Sequence, residues 1–336
     1  MSSQTASVGI IANPASGSDI RRLVALGSVF GTQEKINIIQ RSLVGLAAAG
    51  IDLVYLMPDF YHIAESALNR LPQDLAGFLD RTKLLDMQVE NCAEDSTCAA
   101  RLMRDAGVGC IILLGGDGTN RVVARGCGNV PILPVSTGTN NVISYPVEGT
   151  LAGLAAGFVA RFPEWLSTIA YRSKWLEISV EDGQTDIALV DIAVVEGQVI
   201  GSRAVWESEK IQQAILTRAE PGTTGISGMS GFLETLSPLE PRGLHIFFGE
   251  PRICRLAAPL APGLVATFGV EEIRDLSIGD IVIVPGGHRV LALDGEREIL
   301  LRQSQSALIA LRQDGPWIVD VFRALQVAAD KRFLVS

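Results

Sequence analysis

The run Gly115-Gly116-Asp117-Gly118-Thr119, directly behind the apolar stretch Cys110–Leu114, restricts this chain more than any other segment. An apolar run ending in glycines predicts a buried strand, a tight loop and a short helix reaching to about Gly126. Three glycines let backbone N–H groups approach an anion with no Cβ in the way. A turn by itself needs one or two glycines and no acid between them. Asp117 would repel a phosphate unless Mg²⁺ shields it or it takes a proton from an attacking hydroxyl. The pattern points to nucleotide-dependent phosphoryl transfer.

Around that loop the first half alternates short β-like runs with helical spacing, the signature of a parallel sheet flanked by helices. Strands are expected at Ser7–Ala12, Ile51–Met57, Leu84–Val89, Val108–Leu114 and Pro131–Val135. Helices are expected from Asp19, over Gln33–Ala49 and over Ala93–Ala106, the last stopped by Gly107. From about Lys174 the texture changes to short strands parted by turn dipeptides, which indicates antiparallel β structure. These strands are Trp175–Val180, Ile187–Val195, Asp280–Val284, Arg289–Leu293, Glu298–Leu301 and Ser306–Leu311, and Val319–Lys331 reads as a closing helix. The expected fold is α/β, a Rossmann-like parallel sheet followed by an antiparallel β-rich domain and a C-terminal helix. We divide it as 1–145 for nucleotide binding, 146–318 for substrate and oligomerisation, and 319–336 for a helix packing back on the first domain.

Bulk properties narrow the function. A chain of 336 residues is long for one core, and two domains is the default. The net charge of −9 argues against a nucleic-acid partner. Mean hydropathy is high at +0.30, yet no uncharged apolar run reaches the ~18 residues of a membrane span. The Ala- and Gly-rich stretch Leu151–Phe158 is read as a packed helix. No basic-then-apolar leader opens the chain, and five cysteines without ligand spacing suit reduced thiols, so a cytoplasmic location is expected. Three scattered histidines give no metal site. None of the five lysines lies in a Gly-rich run, so phosphate charge must be met by backbone amides, arginine or metal.

Ligands of parallel sheets bind at the carboxyl ends of the strands. Three loops fall there: Asn13–Ser18, Gly115–Asn120 and Ser136–Asn141. We take Asn13, Gly17, Gly115, Gly116, Gly118, Thr119, Asn120, Ser136, Thr137, Gly138, Thr139 and Asn140 as phosphate- and nucleotide-binding candidates. Arg21, Arg22 and Arg121 follow such loops on helices. The segment Glu220–Gly231 is rich in hydroxyls and reads either as a substrate loop or as a solvated one. Asp294-Gly295-Glu296 reads first as a hairpin turn.

GGDGT behind a strand, NPASG near the start and a hydroxyl-rich loop in the second half together resemble the superfamily of NAD kinases and diacylglycerol-type lipid kinases. The opening IANPASGSDIRRL, the block EPGTTGISGMSG and the ending DGPWIVDVFRAL resemble its acetoin-catabolism protein X branch. The resemblance implies a cleft site between an α/β and a β-rich domain, ATP as donor with Mg²⁺, and a homo-oligomer. It implies Asp117 as the base that draws the proton from the adenosine ribose 2′-hydroxyl of NAD, giving NADP. Thr223 and Thr224 would hold the substrate, as would Asp191. In NAD kinases an Asn precedes that acid, where this chain has Val190. A lipid-kinase-like alternative makes Glu296 the base, with Asp294 beside it; another small acceptor or an inactive nucleotide-binding regulator are the remaining alternatives.

Overall fold

A computed structural model describes residues 5–16, 30–138, 141–197, 208–295 and 297–335. The first half contains β1 (Ser7–Ala12), α1 (Thr32–Ala48), β2 (Leu53–Leu56), α2 (Ile63–Asn69), α3 (Ala76–Leu79), β3 (Thr82–Leu84), α4 (Ala93–Asp105), β4 (Cys110–Gly115), α5 (Asp117–Cys127), β5 (Ile132–Ser136) and α6 (Gly149–Arg161). After the short α7 (Leu166–Ile169) come β6 (Ala170–Arg172), β7 (Trp175–Val180), β8 (Thr185–Ala188), β9 (Asp191–Glu196), β10 (Ile211–Leu216) and α8 (Ile226–Ser230). The rest is β11 (Arg242–Phe248), β12 (Cys254–Ala261), β13 (Leu264–Ser277), β14 (Ile281–Pro285), β15 (Arg289–Leu293), β16 (Arg297–Leu301), β17 (Ser306–Arg312), β18 (Trp317–Val319) and α9 (Val321–Asp330).

The first sheet has the order β3-β2-β1-β4-β5-β18-β6. β1 pairs in parallel with β2 and β4, and β4 with β5, as the unbroken apolar runs require. Two antiparallel sheets, β12-β13-β11-β10-β9-β15-β16 and β14-β17-β7-β8, make up the second half. The expected class, a parallel α/β sheet, antiparallel sheets and a C-terminal helix, is the class observed. Cores lie on both faces of the first sheet, one under α1, α6 and α9, the other under α4 and α5. A third core packs the two antiparallel sheets face to face.

α6 crosses α1 through glycines. A Cβ on Gly153 would run into the Ser42 carbonyl, and one on Gly45 into the Thr150 carbonyl. The small residues of the Leu151–Phe158 stretch therefore serve backbone-to-backbone approach, with Ala152, Ala155 and Ala156 fully buried.

Several elements differ from expectation. The third strand is Thr82–Leu84, not Leu84–Val89, because only these residues reach the edge of β2. The run Ile187–Val195 is two strands in different sheets, broken at Leu189-Val190. Its apolar character is continuous, but the Asp294 carboxylate accepts the N–H groups of Leu189 and Val190, at 3.1 and 2.8 Å, and so takes them out of the ladder. The closing helix begins at Val321, since Trp317–Val319 is a strand set parallel to β5. The expected helix from Asp19 lies outside the described residues, as do Arg21 and Arg22.

Candidate active site

β1, β4 and β5 end side by side, and their loops meet. The Asn13 amide donates to Thr119 Oγ1 at 2.8 Å, and Ser16 Oγ lies 2.8 Å from Thr137 Oγ1. Gly115 has to be glycine because the Thr119 side chain folds back onto it. Asn13, Thr119, Thr137 and Ser136 are thus brought together, with Gly115, Gly116, Gly118 and Gly138 in the backbone between them. Asn120 is fully buried; its amide donates to Ser144 at 2.8 Å. Gly17, Thr139, Asn140 and Glu296 lie outside the described residues.

Lys35 sets the shape of the first loop. It sits on the apolar stripe of α1 beside Ile36, Ile39 and Leu43 and is fully buried. Its ammonium donates to the carbonyls of Asn13, Pro14 and Ser16 at 2.8, 2.8 and 2.6 Å. Three charge-assisted bonds repay the burial of a cation. Lys174 repeats the device in the second half, holding the carbonyls of Ser237, Glu240 and Arg242. Neither lysine lies among the sequence candidates for the site; for Lys35 the legible sign is its place inside the apolar periodicity of α1.

Asp117 opens α5 and is buried. Its two carboxylate oxygens accept the N–H groups of Val142 and Ile143 at 2.6 and 3.0 Å. Burial pushes its carboxyl above the ordinary value, while these bonds and the nearby Arg218 pull it down. Asp191, buried at the start of β9, is raised further by burial and by the charges of Asp294 and Asp117. The substrate-loop candidates lie close by: the Ser227 N–H bonds the Asp191 carboxylate, and Thr223 Oγ1 donates back to the Glu220 carbonyl at 2.9 Å. Thr224 is half-buried on the same loop. The segment Glu220–Gly231 is not a solvated loop, because its second part is α8, with Ser227 and Ser230 fully buried.

Asp294 closes the site from the β15–β16 hairpin. With φ of +47° it occupies the left-handed conformation that its turn demands. Its carboxylate takes backbone N–H groups from Leu189 to Asp191 and lies 3.8 Å from Arg121 Nε. Arg121, on α5, also bonds Asp186 of β8 at 3.1 Å, so one guanidinium ties the parallel unit to both antiparallel sheets. A carboxylate so occupied organises the site.

Burial pushes Asp294 up to about 7 despite Arg121. The folded protein holds this proton more tightly than the unfolded chain, so the Asp294 contribution to stability is full below the ordinary carboxylate value and is lost as pH rises through about 7. His245, lowered by burial to about 4, opposes this below roughly pH 6.5, and Lys174, lowered by burial to about 8, opposes it above that value. Between pH 6.5 and 7.5 the unfolding free energy in urea should therefore fall by up to about 1 kcal/mol, and Asp294→Asn should flatten that slope. A slope unchanged in the variant would assign the titration elsewhere.

One cavity of about 150 Å³ opens beside the first loop, between Asn13-Pro14-Ala15, Met57-Pro58-Asp59-Phe60 and the start of α4 at Cys92–Ser96. It lies at the carboxyl ends of β1 and β2, where the topology places ligands.

The strand ends of the parallel sheet thus meet at the GGDGT run, and the antiparallel unit lends acids to the same place. Residues 8–161 match the ATP-NAD kinase N-terminal domain, and residues 174–314 match the acetoin catabolism protein X C-terminal domain. Yeast NADH kinase, solved in complex with NADH, shares the fold at a TM-score of 0.54 and 13% identity, over 97% of this chain and 87% of that one. Acetoin catabolism protein X of Cupriavidus necator is 37% identical over 335 residues, covering 97% of this chain and 91% of that protein. The chain belongs to the acetoin catabolism protein X family.

Proposed function

We propose that this chain is a phosphotransferase that moves the γ-phosphoryl group of ATP onto an alcohol hydroxyl of a small molecule, with the adenosine ribose 2′-hydroxyl of NAD as the first acceptor to test. Asp117 carries the reading. It is a buried carboxylate whose proton affinity is raised by burial, at the start of a helix whose first N–H groups suit an anion. Its two oxygens offer about four lone-pair sites, and the backbone N–H groups of Val142, Ile143 and Ser144 do not fill them all. The acceptor oxygen attacks the γ-phosphorus, its proton passes to Asp117, and the bond to the bridging β–γ oxygen breaks with release of ADP. The amides and hydroxyls around Gly115–Thr119, Asn13 and Ser136–Gly138 would cradle the phosphates, and the cavity lined by Met57, Pro58 and Phe60 would take the base of the donor. Mg²⁺ would enter on the donor's phosphates; among the described residues no group of three or more His, Cys, Asp or Glu is arranged to hold a metal.

Among the described residues no helix is long and apolar enough to cross a membrane. The lipid-kinase alternative makes Glu296 the base, and that residue lies outside the described residues. Incubation with ATP, Mg²⁺ and NAD, followed by enzymatic cycling for NADP, tests the proposal. NADP formation supports it. Absence of NADP with ATP bound removes NAD as acceptor and leaves other small hydroxyl compounds to be screened.

A further inference from the structure

Arg218, just after β10, is a buried cation with spare donors. Its side chain is only 4% exposed. One terminal nitrogen donates to the Tyr171 hydroxyl at 3.0 Å, and the guanidinium lies over that ring, 5.5 Å from its centre. The other meets Glu220 at 3.5 Å, a long contact to a carboxylate whose own side chain is 38% exposed. Nε is buried and has no hydrogen-bond partner among the described residues. The guanidinium also stands within electrostatic reach of Asp117 and of the Lys174 ammonium. Arg121 also has a buried Nε without a hydrogen bond among the described residues, but it pairs with two buried carboxylates, Asp186 and Asp294, neither of which is free to leave.

We propose that Arg218 is an anion-binding residue of the acceptor site, covered by Glu220 until an oxyanion of the acceptor displaces that carboxylate. The acceptor is accordingly a hydroxyl compound that also bears a phosphate or carboxylate, not a neutral alcohol or a diacylglycerol. The reasoning is one of charge and geometry. A buried guanidinium held by a phenol, one long ion pair and one unused N–H is under-satisfied, and its planar fork suits an oxyanion. Its place between Asp117 and the Glu220–Gly225 loop puts it where the acceptor of the proposed reaction would lie. Glu220, at the exposed end of the pair, is the partner that can leave. This inference rests on the phosphotransferase reading for the word acceptor, but the anion site itself can be tested without turnover.

The test is calorimetric titration of the full chain with the donor site saturated by a non-hydrolysable ATP analogue and Mg²⁺. Inorganic pyrophosphate and malonate serve as the phosphate and dicarboxylate probes. Wild type should bind one of them, and which one names the oxyanion. Arg218→Gln should weaken that probe about 10- to 100-fold, and Arg218→Lys should keep part of the affinity. Because a buried arginine can also matter for folding, Glu220→Gln provides a second handle. Removing the competing carboxylate at the exposed end should tighten the same probe roughly 3- to 10-fold. Binding of neither probe, or an affinity unmoved in both the Arg218→Gln and Glu220→Gln variants, overturns the inference. Probe binding through Arg218 without transfer to any acceptor would sink the phosphotransferase reading alone. NADP formation with Arg218→Gln binding the probes as wild type does would sink this inference alone.

Discussion

Asp117→Asn is expected to lower phosphoryl transfer by about 10²- to 10⁴-fold, the range a positioned general base supplies. The substitution keeps one oxygen to accept a backbone N–H but turns an amide toward the other, so the Val142-Ile143 segment loses one of its two bonds to residue 117. A stability loss of about 1–3 kcal/mol follows from that unpaired group. Turnover must therefore be compared with the thermal midpoint and with ATP affinity measured on the same samples. Loss of turnover with both of those largely kept supports the base role. Full turnover in the variant would move the base elsewhere. A wild type that binds ATP yet transfers nothing to any acceptor would favour the regulator, in which Asp117 only anchors the Val142-Ile143 segment.

The second large effect concerns folding. Gly153→Val should destabilise the chain by about 3 kcal/mol or more and lower the thermal midpoint by about 5–10 °C. The added side chain meets the Ser42 carbonyl on α1, and backbone cannot step aside as a flexible side-chain tip would. The crossing of α1 and α6 covers the centre of one core on the parallel sheet, so the clash spreads to Leu43, Leu46 and Phe158. Gly77→Ala is the control: nothing lies within 4 Å of a Cβ there, and a change within about 0.5 kcal/mol is expected. Equal midpoints for the two variants would show that the glycine crossing does not limit stability.

The parallel half was legible because its signals are local. β1 is observed at Ser7–Ala12, the residues where an unbroken apolar run predicted it, and α4 ends at the Gly107 stop with φ of +74° there. The GGDGT run spans the junction of β4 and α5 for the same reason. The turn at Asp182-Gly183 joins β7 to β8 with Gly183 alone at positive φ, and Asp294-Gly295 joins β15 to β16 with both residues at positive φ. Less legible was anything that depends on partners far along the chain. Ile187–Val195 has the composition of one strand, and only Asp294, more than a hundred residues away, breaks it in two. Trp317–Val319 has no strand pattern of its own length and becomes one because the edge of β5 is open to it.

The same division runs through the candidate site. Sequence by itself determined the class of fold, the three loops at the strand ends and the acid among the glycines, because glycine, hydroxyl and acid side chains at a strand end carry their chemistry with them. Tertiary structure alone decided which charges meet. Lys35 beneath the first loop, Arg121 bridging the two halves and Arg218 beside Asp117 are ordinary basic residues along the chain. Burial makes them matter, since a charge removed from water must find its partners among whatever groups folding brings within reach.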